Sequence, residues 1–207
     1  MHASPEISSF VTRLCRGAKS CPHAVIPQDI TQDLDAIVEA SGWPQFLAQH
    51  YHPLRHHHQF RLTVSSCPNG CTQPHIADFA LIAHASLTLE SDACSQCGEC
   101  LKKCAEQAIS LDPLFIDSNL CLGCAACTVC SFGAIRAAQK SYRILLGGKL
   151  GRHPRLAHEL GRFELPNALI VLHKTLDLFM ANHRPGMRLG DLILELGQDN
   201  FDKLVRP

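Results

Sequence analysis

Eight of the twelve cysteines fall between residues 94 and 130, in two runs that repeat each other. The first run is Cys94, Cys97, Cys100 and Cys104, spaced C-x2-C-x2-C-x3-C. The second is Cys121, Cys124, Cys127 and Cys130. The stretches "CSQCGECLKKCAEQAIS" and "CLGCAACTVCSFGAIR" align at an offset of 27 residues. Small secreted chains use cysteines at this density for disulfides. The first 30 residues here lack the charged-then-apolar pattern of a secretion signal, so metal ligation is the expected use. Such spacing limits the fold, because thiolates three apart must lie in loops wrapped around a compact centre. Structural zinc is the competing use. Zinc favours two C-x2-C pairs separated by about 15–20 residues, whereas each run here packs three or four thiols evenly.

The doubled run resembles the bacterial two-cluster ferredoxin. In that family the fourth cysteine of each run crosses to the other cluster. The resemblance therefore implies one [4Fe-4S] cluster on Cys94, Cys97, Cys100 and Cys130, and another on Cys121, Cys124, Cys127 and Cys104. Two features depart from the family. The last spacing of the second run is two residues instead of three, and Ala105 and Ser131 stand where proline usually follows.

Four cysteines remain, in "CRGAKSC" (Cys15 and Cys21) and "CPNGC" (Cys67 and Cys71). Two pairs complete one four-thiolate site, so twelve cysteines would serve three clusters with none left over. A zinc site or inert buried thiols are the alternatives. The C-x5-C pair, "SSCPNGCTQPHIADFALI", "YRILLGGKLGRHPRLAHEL" and "RPGMRLGDLILELG" together resemble the sirohaem and [4Fe-4S] domain of nitrite and sulfite reductases, of the dissimilatory and anaerobic type. An inserted ferredoxin domain is itself a feature of those types. The resemblance covers nearly the whole chain. It implies a third [4Fe-4S] cluster on Cys15, Cys21, Cys67 and Cys71. It also makes Cys71 the thiolate shared between that cluster and the sirohaem iron, with Gly70 permitting close backbone approach.

The same resemblance implies that Lys149, Arg152 and Arg155, on the glycine-rich loop, help bind the carboxylates of sirohaem; an ordinary basic turn is the alternative. Asn69 is expected to bond its own turn and to touch the macrocycle. Arg61 stands on the polar side of its strand, facing either the cofactor or solvent. His52, His56, His57 and His58 precede that strand as a solvated loop or as a source of protons. Full reductases carry a further ferredoxin-like half that completes the anion pocket, and only 14 residues precede Cys15 here. The expectation is that a second chain or a second copy supplies that half, or that the start is truncated, since Arg13 and Arg16 are not expected to replace it.

The expected fold is α+β, with a discontinuous host domain of residues 1–90 and 139–207 and a ferredoxin domain inserted at 91–138. Residues 29–40 place Ile30, Leu34, Ile37 and Val38 on one helical face, and Gly42 stops that helix. Residues 59–65 alternate as a half-buried strand that delivers Cys67. A short helix is expected over 74–80, strands over 81–89 and 142–146, and helices from Pro166 to about His183 and over about 188–196.

Apolar residues make up 46% of the chain and the formal charge is zero, so a sizeable core can form and no nucleic-acid footprint exists. No apolar run approaches a membrane span. A cytoplasmic reductase of sulfite or nitrite, or a subunit of one, fed by an electron donor protein, is the leading expectation. An iron–sulfur electron carrier without a substrate site competes with it, and a zinc-binding interaction module is a weaker third reading.

Overall fold

The computed structural model describes residues 7–207. A five-stranded mixed sheet organises the chain in the order β1-β2-β3-β6-β7, from strands β1 (Phe10–Leu14), β2 (Phe60–Ser65), β3 (Phe79–Leu89), β6 (Ile135–Leu146) and β7 (His158–Phe163). The first three strands run parallel, in the register Leu14↔Val64 and Ser65↔Ile82. Strand β6 returns antiparallel to β3, and β7 antiparallel to β6. The alternation of β2 works as expected. Phe60, Leu62 and Val64 enter the main core, while Thr63 and Ser65 are buried on the other face.

Five helices cover one face: α1 (Thr31–Ala40), α2 (Trp43–His50), α4 (Leu165–Ala181), α5 (Leu189–Leu196) and α6 (Gln198–Val205). They supply Leu34, Val38, Trp43, Leu47, Leu172, Leu176, Ile193 and Phe201 to one continuous core with the sheet. Each fully buried aliphatic side chain of this kind contributes about 1.5–3 kcal/mol of transfer free energy. Gly42 has φ +81 where α1 ends and α2 begins, a backbone state that side chains disfavour. The other face carries a small cluster of Ala77, Ala80, Ile82 and Leu145.

Several elements differ from the sequence expectation. The segment expected as a helix over 74–80 holds only a single 3-10 turn, Pro74–Ile76, and β3 already begins at Phe79. Strand β6 begins at Ile135 instead of Tyr142. Strands β1 and β7 and helices α2 and α6 were not expected from the sequence. The distal halves of β3 and β6 leave the sheet as a largely exposed two-stranded ribbon, past an irregularity between Ala85 and Leu87. Residues 90–134 form an excursion at the end of that ribbon. It contains helix α3 (Glu99–Lys103) and a small hairpin, β4 (Ile109–Leu111) with β5 (Leu114–Ile116). Its own core joins Cys100, Leu114, Cys127, Ala134 and Ile135, separate from the main one. No helix among the described residues is long and apolar enough to cross a membrane.

Candidate metal centre

Because β1 and β2 are parallel and end side by side, the segments that follow them emerge at the same end of the sheet. Those segments carry the two cysteine pairs that the excursion does not use. Cys15 continues the sheet by donating its N–H to Val64 O at 3.1 Å and then caps a 3-10 turn, Arg16–Ala18. Its Sγ accepts the N–H of Gly17 at 3.3 Å and that of Ser66 at 3.2 Å. The two strand ends touch closely here: a Cβ on Gly17 would lie 2.3 Å from Ser66 Cβ and 3.0 Å from Cys15 Sγ. The turn at "CPNGC" places Gly70 at φ +62, and its geometry is secured by Ser65 Oγ and Thr72 Oγ1 at 2.7 Å.

Cys15, Cys21, Cys67 and Cys71 line one open pocket of about 920 Å³, together with Arg13, Arg16, His23 and Asn69. Cys67 is buried and Cys71 exposed, so the set has a protein side and an open side. The Cys67 thiol is pushed up, first by burial and then by the neighbouring Cys15, Cys21 and Cys71, against the help of the Asn69 N–H. At Cys15 burial also pushes upward, but hydrogen bonds from Ser66 and Gly17 outweigh it and hold the thiol below its ordinary value. Backbone donors of this kind stabilise a thiolate and tune a bound cluster.

The excursion sorts its eight thiols into two sets of four. Cys94, Cys97, Cys100 and Cys130 line one small pocket with Leu111, Leu114 and Ile135. Burial pushes the Cys100 thiol up, and Cys130 and Cys94 add to it. Cys130 joins this set despite its shortened spacing; burial opposes its ionisation, but the N–H groups of Ile135, Ala134, Phe132 and Gly133 lower it. In the other set Cys127 is pushed up to about 11, first by burial and then by Cys124, Cys121 and Cys104. Cys104 Sγ accepts the Ala108 N–H at 3.3 Å. Among the described residues no three or more Cys, His, Asp or Glu side chains converge in a geometry for a single metal ion.

The second set sits against the sheet. Ala85 of β3 donates its N–H to Gly123 O at 2.9 Å, and Ala125 packs on the main core. The buried ring of His84 lies where a Cβ on Gly123 would be, 2.2 Å from Cδ2. His84 is held down to about 4, first by burial and then by Arg162 and Arg143. Since Ser65 pairs with Ile82, Gly123 meets β3 three residues further on, about 10 Å along the strand at ~3.3 Å per residue. The loop of Cys121 to Cys124 and Cys67 therefore share one end of the sheet.

Of the residues expected at the cofactor, Asn69 lines the four-cysteine pocket, while Arg61, Lys149, Arg152 and Arg155 do not line it. Arg61 sits near the start of β2, where its N–H donates to Asp78 Oδ2 at 2.9 Å. Lys149 Nζ and Arg155 Nη2 both reach Asp191 Oδ1, at 3.1 and 3.0 Å, and Arg155 also bridges back to Lys149 across a tight hairpin. Lys149 and Arg152 line a different pocket, of about 790 Å³, with His57 and His58. That pocket shares no residue with the four-cysteine pocket and lies at the opposite end of β2. Arg13 and Arg16, expected only not to replace the ferredoxin-like half, do line the four-cysteine pocket. Their signal was adjacency to Cys15 and the turn that follows it.

Comparison with known proteins places this geometry. The family described as nitrite and sulphite reductase 4Fe-4S domain matches residues 12–207. An uncharacterized protein of Methanocaldococcus jannaschii is 29% identical over 147 residues, which is 70% of this chain and 52% of that protein. The coenzyme F420-dependent sulfite reductase of the same organism is 30% identical over 54 residues, 26% of this chain and 9% of that protein. A subunit of the anaerobic sulfite reductase of Salmonella typhimurium is 28% identical over 74 residues, 36% and 21% of the two chains. The chain thus spans about half the length, or less, of these relatives. Among solved structures, dissimilatory sulfite reductase I superposes with a TM-score of 0.60 at 19% identity, over 94% of this chain and 51% of that one. The Mycobacterium tuberculosis NirA protein gives 0.54 at 13% identity, over 92% and 26%. These superpositions establish the α+β fold.

Proposed function

Because the chain belongs to the nitrite and sulphite reductase 4Fe-4S domain family, we propose that it is the cofactor-bearing part of a sirohaem- and iron–sulfur-dependent reductase of sulfite or nitrite. The observation that carries this reading is the open pocket in which Cys15, Cys21, Cys67 and Cys71 stand together. The donor set fits a cubane: four thiols, one already stabilised by two backbone N–H groups, with a wall that tolerates no added methyl at Gly17. The open side fits a large anionic macrocycle, with the exposed Cys71 facing it and Arg13, Arg16 and Asn69 around it. When bound, sirohaem and its cluster supply the redox chemistry that removes oxygen from a sulfur or nitrogen oxyanion. The chain's own part is to hold the thiolates, to bring cations to an anionic ligand and, at Cys71, to offer the bridging sulfur.

The excursion, 91–138 on this reading, is a ferredoxin-type unit inserted in a host of 1–90 and 139–207. The set of Cys94, Cys97, Cys100 and Cys130 is the outer one, available to an electron donor protein. The set of Cys121, Cys124, Cys127 and Cys104 is the inner one, and its docking on β3 at the Cys67 end supports a relay toward the host site. Two arginines are a modest counter-charge for an oxyanion and the many carboxylates of sirohaem, and uncompensated buried charge is costly. The rest of the pocket comes from protein outside these residues, on the same chain, a second chain or a second copy, in keeping with the match covering about half of dissimilatory sulfite reductase I.

The test is the visible spectrum of the anaerobically purified protein, followed by an assay with a dye donor. Soret and red bands of sirohaem, with dye-driven loss of sulfite or nitrite once the partner is present, are expected. Iron–sulfur absorption alone, with no sirohaem uptake, would identify an electron carrier instead.

A further inference from the structure

The pocket of about 790 Å³ at the opposite end of the sheet is absorbed by none of the above. It lies between the loop after α2, the end of α4, the start of α5 and the glycine-rich hairpin after β6. Its size falls within the range of about 300–1,000 Å³ typical of sites for small organic ligands. We propose that this pocket, lined by Arg55 and Arg152 and by the half-buried rings of Tyr51 and His58, is a second binding site for a small organic acid with an aromatic body.

The charge balance is the first argument. Arg55, Lys149, Arg152 and Arg188 line the pocket, and Asp78 is the sole acid in its lining. Asp78 is already engaged by Arg188 and by the Arg61 N–H. Arg188 is further tied to the carbonyls of His57 and Gln59, so it serves to fix the loop. Lys149 shares Asp191 with Arg155. Among the described residues Arg55 and Arg152 have no acidic partner within 4.0 Å, and both are exposed. The chain as a whole is neutral, so this is a local excess and not a general basicity. Planar guanidiniums with free donor edges match carboxylate and phosphate groups bidentately.

Behind those cations stands an aromatic wall. Trp43, Phe60 and Phe179 close the base and are almost wholly buried, so the aromatic surface open to a ligand is that of the half-buried Tyr51 and His58. One side is a braced polar wall. Tyr51 stacks on His58 at 3.9 Å, its hydroxyl meets His183 Nε2 at 2.9 Å, and it accepts the Gly186 N–H at 3.2 Å. Burial, followed by His57, Arg55 and Arg188 at His58 and by His50 and His58 at His183, holds both below their ordinary values. The wall is therefore neutral near pH 7, and the charge in the pocket comes from the arginines. A cavity with a fixed aromatic wall and cationic rim selects a ligand that is flat and apolar at one end and acidic at the other.

The test is isothermal titration calorimetry on the iron-loaded full chain, with benzene-1,3,5-tricarboxylate, phenyl phosphate and benzyl alcohol as probes. One of the two acids should bind at one equivalent, and the tighter of them identifies the acid group as carboxylate or phosphate. Arg55→Glu and Arg152→Glu should each weaken that binding roughly tenfold or more. Arg13→Glu, in the other pocket, should leave it within about twofold, a control for general electrostatics. The proposal is overturned if neither acid binds saturably, if benzyl alcohol binds as tightly, or if Arg13→Glu weakens binding as much as the other two. Iron content is measured in the same samples. Loss of iron would count against the reading of the cysteine pocket, not against this one.

Discussion

Replacing Gly17 by alanine tests how the host thiolate site is built. The added Cβ would stand 2.3 Å from Ser66 Cβ and 2.5 Å from its Oγ. The hydroxyl can rotate away, but Ser66 Cβ is fixed to the backbone, so one strand end must move by about an ångström to restore ordinary contact. Overpacking of this kind costs about 1–3 kcal/mol. The same movement separates the Gly17 and Ser66 N–H groups from Cys15 Sγ, which they now hold at 3.3 and 3.2 Å. Hydrogen bonds to a charged acceptor are worth about 1.5–3 kcal/mol each, so the thiolate loses much of its support. The midpoint of thermal unfolding should fall by about 2–12 °C, at ~2–4 °C per kcal/mol for a chain of this size. On the proposal of three cubanes, the iron content should fall by about a third, since only the one at Cys15 would depend on this contact. Differential scanning calorimetry and an anaerobic iron assay read both effects. A variant with unchanged midpoint and full iron would show that the close approach of the two strand ends does not support the site.

Three further outcomes are expected. Cys71→Ser should abolish the coupled sirohaem signal in paramagnetic spectra while the signals of the excursion's clusters persist; an unchanged coupled signal would mean that Cys71 is not the bridge. Gly123→Ala forces a Cβ into the His84 ring at a residue with φ +68, so hydrogen exchange across 90–134 should speed up while the main core stays protected, and unchanged exchange would refute the docking. Folding stability should decline as pH falls from about 6.5 to about 4, because unfolded His84 takes up a proton there and the folded protein, with His84 held down to about 4, does not; a His84→Phe variant should show a shallower slope, and an identical slope would acquit His84.

Local thiol spacing marked residues 94–130 in the sequence, and the cysteine count with the family resemblance joined Cys15 and Cys21 to Cys67 and Cys71, which line one pocket. The alternation at Phe60, Leu62 and Val64 and the apolar face of α1 were readable for the same reason: one face of each meets one core. Strand β7, "HELGRF", escaped notice because an edge strand half in solvent lacks a strong alternation. Helix α2 is only eight residues long and opens on Trp43-Pro44, too short for periodicity to stand out. The destination of Lys149 and Arg155 could not be read, since their partner Asp191 is about 40 residues away and is brought there by α5 packing under the hairpin. Charged residues of one motif need not share its end of the sheet: the parallel step from β2 to β3 carries the chain back from Ser65 to beside Leu62 before Phe79.

The claim that twelve thiols form three sets of four is tested most directly by iron and acid-labile sulfide counts on the anaerobic protein and on Cys67→Ser, Cys100→Ser and Cys127→Ser. The parent should hold about twelve irons in cubanes, with one more where sirohaem is bound, and each variant should lose about four. Stoichiometric zinc with little iron, or a Cys67→Ser variant that keeps the full count, would contradict it.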